Sequence, residues 1–180
     1  MIAILLADGF EEIEALTPLD LLRRAKLDAR TVAVGSKIAV GSHGIPVIAD
    51  MTADELKLSE VSMLILPGGM PGTLNLDASD LVGEAIKTVL DRGGRVAAIC
   101  AAPLILGRRG YLEGKRAVCY PGFEDELKGF IKCNGEVVTD GNITTAKGMG
   151  VAGRFGYELL TLLIGKERAT EICRGAIMEI

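Results

Sequence analysis

The stretch RVAAICAAPL, residues 95–104, decides the fold class of this 180-residue chain. Its first half is an apolar run of the kind that forms a strand buried on both faces. A cysteine, two alanines and a proline follow at once. The stretch therefore predicts a strand, a sharp turn at Cys100 and a helix from about residue 101 to 110.

The same alternation of strands and helices extends through the rest of the chain. Apolar runs predict strands at 2–7, 30–35, 62–66 and 115–121, and hairpins at 36–50 and 136–148. Helical patterns cover 11–25, 78–92, 151–164 and 166–175. This order predicts an α/β sandwich with a mostly parallel central sheet, formed by a single domain over residues 1–180.

Composition and charge exclude several classes of function. The net charge is −4 and the basic residues are scattered, which argues against a nucleic-acid partner. The opening MIAILLA is too short for a signal peptide or a membrane span, so we expect a soluble cytoplasmic protein with no membrane partner. The four cysteines have no CxxC spacing and the chain has one histidine, so no metal site is expected.

Three predicted loops should meet at one edge of the sheet, because the carboxyl ends of parallel strands lie together. They carry ADGFEEIE, PGGMPG and CAAP. Cys100 then lies at a helix N-terminus, where the helix dipole lowers a thiol pKa. The backbone N–H groups of Gly69 and Ala101 could form an oxyanion pocket. The alternative is that Cys100 is a small buried side chain at a strand end.

The first turn of the helix at 11–25 contributes an acidic candidate. Its glutamates could simply complement the helix dipole at the surface. However, Ile13 and Leu16 are expected to face the sheet, and Glu14 lies between them on the helix. We therefore expect Glu14 to point inward, towards the Cys100 loop.

The motifs GFEEIEA, LPGG, AAICAAP and CYPGFED resemble, in this order, those of the ThiJ/PfpI superfamily. The resemblance is greatest to the branch of the parkinsonism-associated DJ-one protein and its bacterial relatives. It implies a three-layer flavodoxin-like sandwich, a homodimer, and no metal or organic cofactor. It also implies that Cys100 is the reactive cysteine, that a protonated Glu14 is hydrogen-bonded to its sulfur, and that Gly69 and Ala101 supply the backbone pocket.

One departure from the family pattern narrows the range of possible functions. Some relatives carry a histidine before the proline that matches Pro121, whereas this chain has Tyr120 there. A hydrolase triad of this kind places a histidine and an acid after the nucleophile, and no histidine follows Cys100 in this chain. The sequence therefore argues against a peptidase or a glutamine amidotransferase.

Four auxiliary residues complete the candidate site. His43 lies at the predicted hairpin tip, at the position of a family arginine that approaches the partner's cysteine site; the alternative is an ordinary surface residue. Arg24 resembles a basic interface residue. Cys119 ends a predicted strand beside the pocket and is a candidate second reactive thiol, and Tyr120 could donate a hydrogen bond.

The resemblance implies two main functions. One is a glyoxalase or deglycase that converts methylglyoxal or glyoxal to a hydroxy acid through Cys100 and Glu14. The other is an oxidative-stress sensor or chaperone in which Cys100 is oxidised and catalysis is slight. Loss of lactate production in Cys100→Ala would separate the first from the second.

Overall fold

A computed structural model describes residues 1–179 of the chain. Its strands are β1 (Ile2–Leu6), β2 (Ala29–Ala33), β3 (Ile38–Val40), β4 (Pro46–Ile48), β5 (Met51–Thr52), β6 (Met63–Leu66), β7 (Arg95–Ile99), β8 (Arg116–Ala117), β9 (Ile131–Lys132), β10 (Val137–Asp140) and β11 (Ile143–Ala146). Its α-helices are α1 (Glu12–Arg24), α2 (Gly72–Asp77), α3 (Asp80–Asp91), α4 (Pro103–Arg108), α5 (Ala152–Ile164) and α6 (Lys166–Gly175).

The central sheet has seven strands in the order β10-β11-β7-β6-β1-β2-β5. Every neighbouring pair is parallel except β10 and β11, which form an antiparallel hairpin at one edge. The predicted mostly parallel sheet is therefore confirmed. Strands β3 and β4 form a separate hairpin, and β8 and β9 form a short parallel pair.

Alternating side chains of the sheet form two hydrophobic cores. Ile4 and Leu6 of β1 pack on the face covered by α1, α5 and α6. Ala3 and Leu5 point to the other face, which α2, α3 and α4 cover. Because both faces are buried, the central strands are continuous apolar runs. Three layers result, as the family resemblance implies.

The structure differs from the predicted elements mainly in its short strands and in one short helix. The strand predicted at 115–121 covers only Arg116–Ala117, because the chain turns towards the Cys100 loop after it. Helix α2 and strands β5 and β9 were not predicted, since six residues or fewer are too short to show a hydrophobic period. Within residues 1–179, no helix combines the length and the hydropathy needed to cross a bilayer.

Candidate active site

The three loops predicted to meet do meet at the carboxyl ends of β1, β6 and β7. The Glu11 N–H donates to the Gly68 carbonyl at 2.9 Å, joining the first loop to the second. Cys100 follows β7 directly, and its N–H donates to the Ala146 carbonyl of β11 at 2.9 Å. These backbone bonds fix the loops against one another.

Cys100 has an unusual backbone conformation. Its φ is 65°, in the left-handed region that few residues other than glycine adopt. Such residues concentrate at functional sites, where surrounding structure holds them against a cost of roughly 1–3 kcal/mol. The side chain of Cys100 is half-buried, so its sulfur keeps a route to solvent.

Glu14 points inward, as predicted, although the sequence pattern misplaced Ile13. Ile13 is 46% exposed and does not anchor α1 on the sheet, whereas Leu16 is half-buried and packs against the core. The buried face of α1 instead contains Ala15, Leu19 and Leu22. Glu14 belongs to that face and is fully buried.

The Glu14 carboxyl reaches the cysteine site. Its Oε2 accepts the Gly68 N–H at 2.9 Å. Its Oε1 is buried and has no hydrogen-bond partner within the described residues. A Cβ atom built on Gly148 would lie 3.9 Å from Glu14 Oε1 and 3.9 Å from Cys100 Sγ. The two atoms therefore line the same small space, and a proton on Oε1 could be donated to the sulfur.

Burial raises the pKa of Glu14 to about 7. The neighbouring Cys100 thiol and the hydrogen bond from the Gly68 N–H act in the opposite direction, and the nearby charge of Glu11 adds to the increase. A buried carboxyl with such a pKa still holds its proton in a large fraction of molecules near neutral pH.

The pKa of Cys100 was expected to be lowered, but the structure indicates that it is raised. Burial raises the pKa of the thiol to about 12, and the negative charge of an ionised Glu14 adds to the increase. Backbone N–H groups of Gly69 and Ala101 lower the pKa but do not outweigh these effects. Helix α4 begins only at Pro103 and has six residues, so its dipole contributes little.

The same pair of groups can nevertheless hold a thiolate. The repulsion from Glu14 is present only while that carboxyl is ionised. When Glu14 is protonated, its O–H becomes a donor to the sulfur and favours the thiolate. The site therefore titrates as a coupled pair in which one proton is shared between oxygen and sulfur.

The predicted backbone pocket is brought together at the sulfur. The N–H groups of Gly69 and Ala101 both contact Cys100. Gly69 has a φ of 88°, a conformation that glycine adopts without strain. Two N–H donors converging on one point can stabilise a negative charge on sulfur or on a substrate oxygen.

Two glycines that the sequence analysis did not single out keep the site open. A Cβ at Gly68 would lie 2.6 Å from both Cys100 Cβ and Glu14 Oε2, so no larger residue fits. A Cβ at Gly148 would lie 3.3 Å from the Tyr120 ring. The PGG and KGMG stretches were the available signals, but only contacts between distant loops show why glycine is needed.

Tyr120 borders the site. Its N–H donates to the Cys100 carbonyl at 2.8 Å, and its ring is half exposed. The ring also stands edge-on to Phe123, with 6.4 Å between centroids. Tyr120 therefore lies beside the sulfur, and its ring forms part of the wall of the site next to Gly148.

His43 lies at the hairpin tip between β3 and β4, as predicted, but it is held within its own chain. Its Nδ1 is 2.9 Å from Glu12 Oε2 and 3.4 Å from Glu11 Oε2. The hydrogen bond to Glu12 and the charges of both acids raise the pKa of His43. Burial acts to raise the pKa of Glu12, but hydrogen bonds from His43 outweigh it and lower the pKa of that carboxyl to about 2.

The ligand atoms of Glu11, Glu12 and His43 lie within 4.8 Å of one another, which is the spacing that a metal site needs. Hydrogen bonds account for the cluster without an ion, since Ser42 Oγ also contacts all three side chains. The polar contacts of the His43 ring are with Ser42, Glu11 and Glu12 of its own chain, and none of these contacts involves Cys100.

The two remaining predicted residues, Arg24 and Cys119, face other parts of the structure. Arg24 pairs with Asp20 at 2.6 Å and lines a groove beside α1. Cys119 is buried and faces a separate cavity that Cys133 also lines. Cys173 is fully buried in the core under α6.

Comparison with known proteins gives a consistent result. The sequence model described as the DJ-1/PfpI family matches residues 1–162. Protein dj-1beta of Drosophila melanogaster is 32% identical over 178 residues, which are 97% of this chain and 95% of that protein. A protein named deglycase from Pyrococcus abyssi is 32% identical over 165 residues, covering 90% of this chain and 98% of that protein.

Solved structures agree with the sequence matches. The structure of oxidized Toxoplasma gondii DJ-1 superimposes with a TM-score of 0.95 at 31% identity. The superposition covers 99% of this chain and 98% of that one. The sheet, its flanking helices and the carboxyl edge that holds Cys100 therefore match an experimentally known fold.

Proposed function

Because this chain belongs to the DJ-1/PfpI family, we propose that it is a cysteine-dependent stress-response protein that converts reactive aldehydes to hydroxy acids. Methylglyoxal and glyoxal are the proposed substrates, and the reaction uses no cofactor. The observation that supports this proposal is the pairing of Cys100 with the buried carboxyl of Glu14. The deglycase name of the Pyrococcus abyssi relative is consistent with it.

The first step is attack of Cys100 Sγ on the aldehyde carbon, which forms a C–S bond. The aldehyde oxygen becomes negative and takes the proton that Glu14 holds. The N–H groups of Gly69 and Ala101 stabilise the negative charge as it forms. The product of this step is a neutral hemithioacetal next to an ionised Glu14.

The second step uses Glu14 as a base. Its carboxylate removes the C–H proton of the hemithioacetal carbon and returns it to the neighbouring carbonyl carbon, while the hydroxyl proton of the hemithioacetal passes to the oxygen of that carbonyl. The result is a thioester of the 2-hydroxy acid. Water then attacks the thioester, the C–S bond breaks, and Cys100 recovers its proton. Overall, one aldehyde and one water give one hydroxy acid.

The test is lactate formation from methylglyoxal by the wild-type protein and three variants. We expect Cys100→Ala to abolish turnover, and Glu14→Gln to lower it by about 10²–10⁴-fold, since a proton shuttle typically contributes that much. Cys173→Ser is the matched control, because this thiol is buried in α6, a helix that contributes no residue to the site, and it should keep wild-type turnover. Equal lactate formation by Cys100→Ala would contradict the proposal.

A second candidate function is a sensor of oxidative stress. Cys100 is half-buried rather than sealed, so peroxide can reach it, and Toxoplasma gondii DJ-1 has been solved in an oxidized form. The backbone donors at Gly69 and Ala101 could equally stabilise a sulfinate. A protein whose Cys100 gains two oxygens in dilute peroxide, and which shows no aldehyde turnover, would favour this function over the first.

The proposal includes a homodimer and a cytoplasmic location, where thiols stay reduced. An apolar groove of about 480 Å³ runs beside α1 and is lined by Ile13, Leu16, Ile45 and Met178. The hairpin next to it exposes further apolar side chains, at Ile38, Val40 and Ile48. A second copy of this chain, related by two-fold symmetry, would cover both surfaces.

A further inference from the structure

A second thiol site lies outside the Cys100 region. A cavity of about 120 Å³ opens beside the short β8–β9 pair. Two of the four cysteines of the chain, Cys119 and Cys133, line this one cavity. Neither residue takes part in the aldehyde chemistry proposed above, so the pair needs a separate account.

The two cysteines follow closely on the short parallel strand pair. Strands β8 and β9 are parallel, with Arg116 opposite Ile131 and Ala117 opposite Lys132. Cys133 comes directly after β9, and its Sγ lies 3.5 Å from the Ala117 carbonyl, two residues before Cys119. Both cysteines then line the same small cavity. A disulfide between them requires their Cα atoms to come within roughly 4.4–6.8 Å of each other.

The two thiols differ in access. Cys133 is half-buried, and its Sγ donates to the Ala117 carbonyl at 3.5 Å. Cys119 is 6% exposed, and its burial raises the pKa of the thiol to about 11. An oxidant that enters the cavity therefore meets Cys133 first, while Cys119 lies behind it as a protected second thiol.

We propose that Cys119 and Cys133 form a redox-active thiol pair that a hydroperoxide closes to a disulfide. Cys133 sulfur attacks the peroxide, the O–O bond breaks, and a sulfenic acid and one water result when the oxidant is hydrogen peroxide. Cys119 sulfur then attacks Cys133 sulfur and expels its oxygen as a second water. Two thiols are oxidised, one peroxide is reduced, and both thiol protons end in water.

The experiment uses Cys100→Ala protein, so that the candidate catalytic thiol does not react. After brief exposure to hydrogen peroxide and alkylation with N-ethylmaleimide, tryptic peptides are analysed by mass spectrometry without reduction. Cleavage separates the two cysteines onto peptides 117–128 and 133–147. We expect these peptides to be linked, with a mass two hydrogens below their sum, and to separate after treatment with dithiothreitol.

Two further variants in the Cys100→Ala background make the result specific. Adding Cys133→Ser should leave Cys119 alkylated and unlinked, whereas adding Cys173→Ser should preserve the link. In the reduced protein, phenylarsine oxide should bind once per chain and lose this binding in the Cys133→Ser variant, since it bridges only neighbouring thiols. The proposal is wrong if both thiols stay alkylatable, if Cys133 forms only a sulfinic acid, or if the only links join two chains.

Discussion

At the scale of single residues, the candidate site depends on two groups held in unfavourable states. Cys100 occupies a left-handed backbone conformation, and Glu14 is a carboxyl without access to solvent. Each state costs folding free energy, and neighbouring bonds such as that from the Gly68 N–H offset only part of the cost. A stability cost concentrated at one loop cluster is typical of a site shaped for chemistry.

The cost at Glu14 gives a pH prediction. The pKa of this carboxyl is about 7 in the folded protein, against 4.5 for an ordinary glutamate. Between these pH values the folded state holds a proton that the unfolded chain releases, so the free energy of unfolding falls as pH rises. We expect the Glu14→Gln variant to gain roughly 3 kcal/mol relative to Glu14 across this range.

Urea unfolding at several pH values between 4 and 8 measures this difference. Both proteins should carry Cys100→Ala, so that the thiol does not titrate with the carboxyl. Other titrating groups are shared and cancel in the comparison. A difference between the two proteins that stays constant with pH would show that the pKa of Glu14 is ordinary in the folded state.

At the scale of elements, the loop after β6 sets the distance between Glu14 and Cys100. A Cβ on Gly68 would meet both side chains at 2.6 Å. We therefore expect Gly68→Ala to separate them, to lower aldehyde turnover by about 10²-fold or more, and to lower the thermal midpoint. Gly35→Ala is the matched control, since nothing lies within 4 Å of its Cβ position. Equal activity of both variants would argue against this role for Gly68.

An ion-pair cluster joins the ends of α2 and α4. Asp77 accepts from Arg108 at 2.7 Å and from Arg109, and its side chain is 16% exposed. Burial acts against it, but these hydrogen bonds hold the pKa of Asp77 below its usual range. The stabilisation is therefore present above pH 3.8 and is lost as pH falls through the lowered pKa.

We expect Asp77→Asn to lower the free energy of unfolding at pH 7 by about 1–3 kcal/mol, because two arginines lose a charged partner. Asp28→Asn, which removes an exposed pair with Arg30, should have almost no effect. Urea unfolding of both variants measures the contrast, and the Asp77→Asn deficit should shrink towards pH 3. A deficit that is equal for the two variants would contradict the assignment.

Element patterns predicted much of this molecule, and the exceptions have physical causes. Long apolar runs such as 95–99 and 62–66 predicted the central strands, because a strand that is buried on both faces needs apolar side chains at nearly every position. The orientation of α1 was misjudged, since Ile13 is apolar but lies in an exposed groove. The raised pKa of Cys100 could not be read from the sequence either, because it depends on burial by loops far apart in the chain.

At the scale of the whole molecule, the groove beside α1 predicts association. We expect the wild-type protein to sediment as a dimer, and Ile13→Asp to shift it to a monomer that keeps its fold, because a charge would be buried at the contact. Ile131→Asp is the control, since this residue is similarly exposed but lies outside the groove. A wild-type protein that sediments as a monomer would rule out the dimer.

The same dimer tests the proposed approach of His43 to the partner's Cys100. A mixed dimer of His43→Ala and Cys100→Ala chains keeps one unaltered site if His43 acts across the interface. If His43 acts within its own chain, where it contacts Glu12, one site lacks the histidine and the other lacks the thiol. The pH dependence of Cys100 alkylation in the mixed dimer distinguishes the two arrangements.

The two edge strands of the central sheet affect how this protein behaves at high concentration. An unpaired edge strand is a template for another chain, and long edge strands promote fibril growth. Here β5 is only two residues long, and β8 runs close to β10, where the Arg116 N–H donates to Asp140 at 3.1 Å. Neither edge offers a long run of free backbone groups, so this protein should resist polymerisation through its sheet even at high concentration.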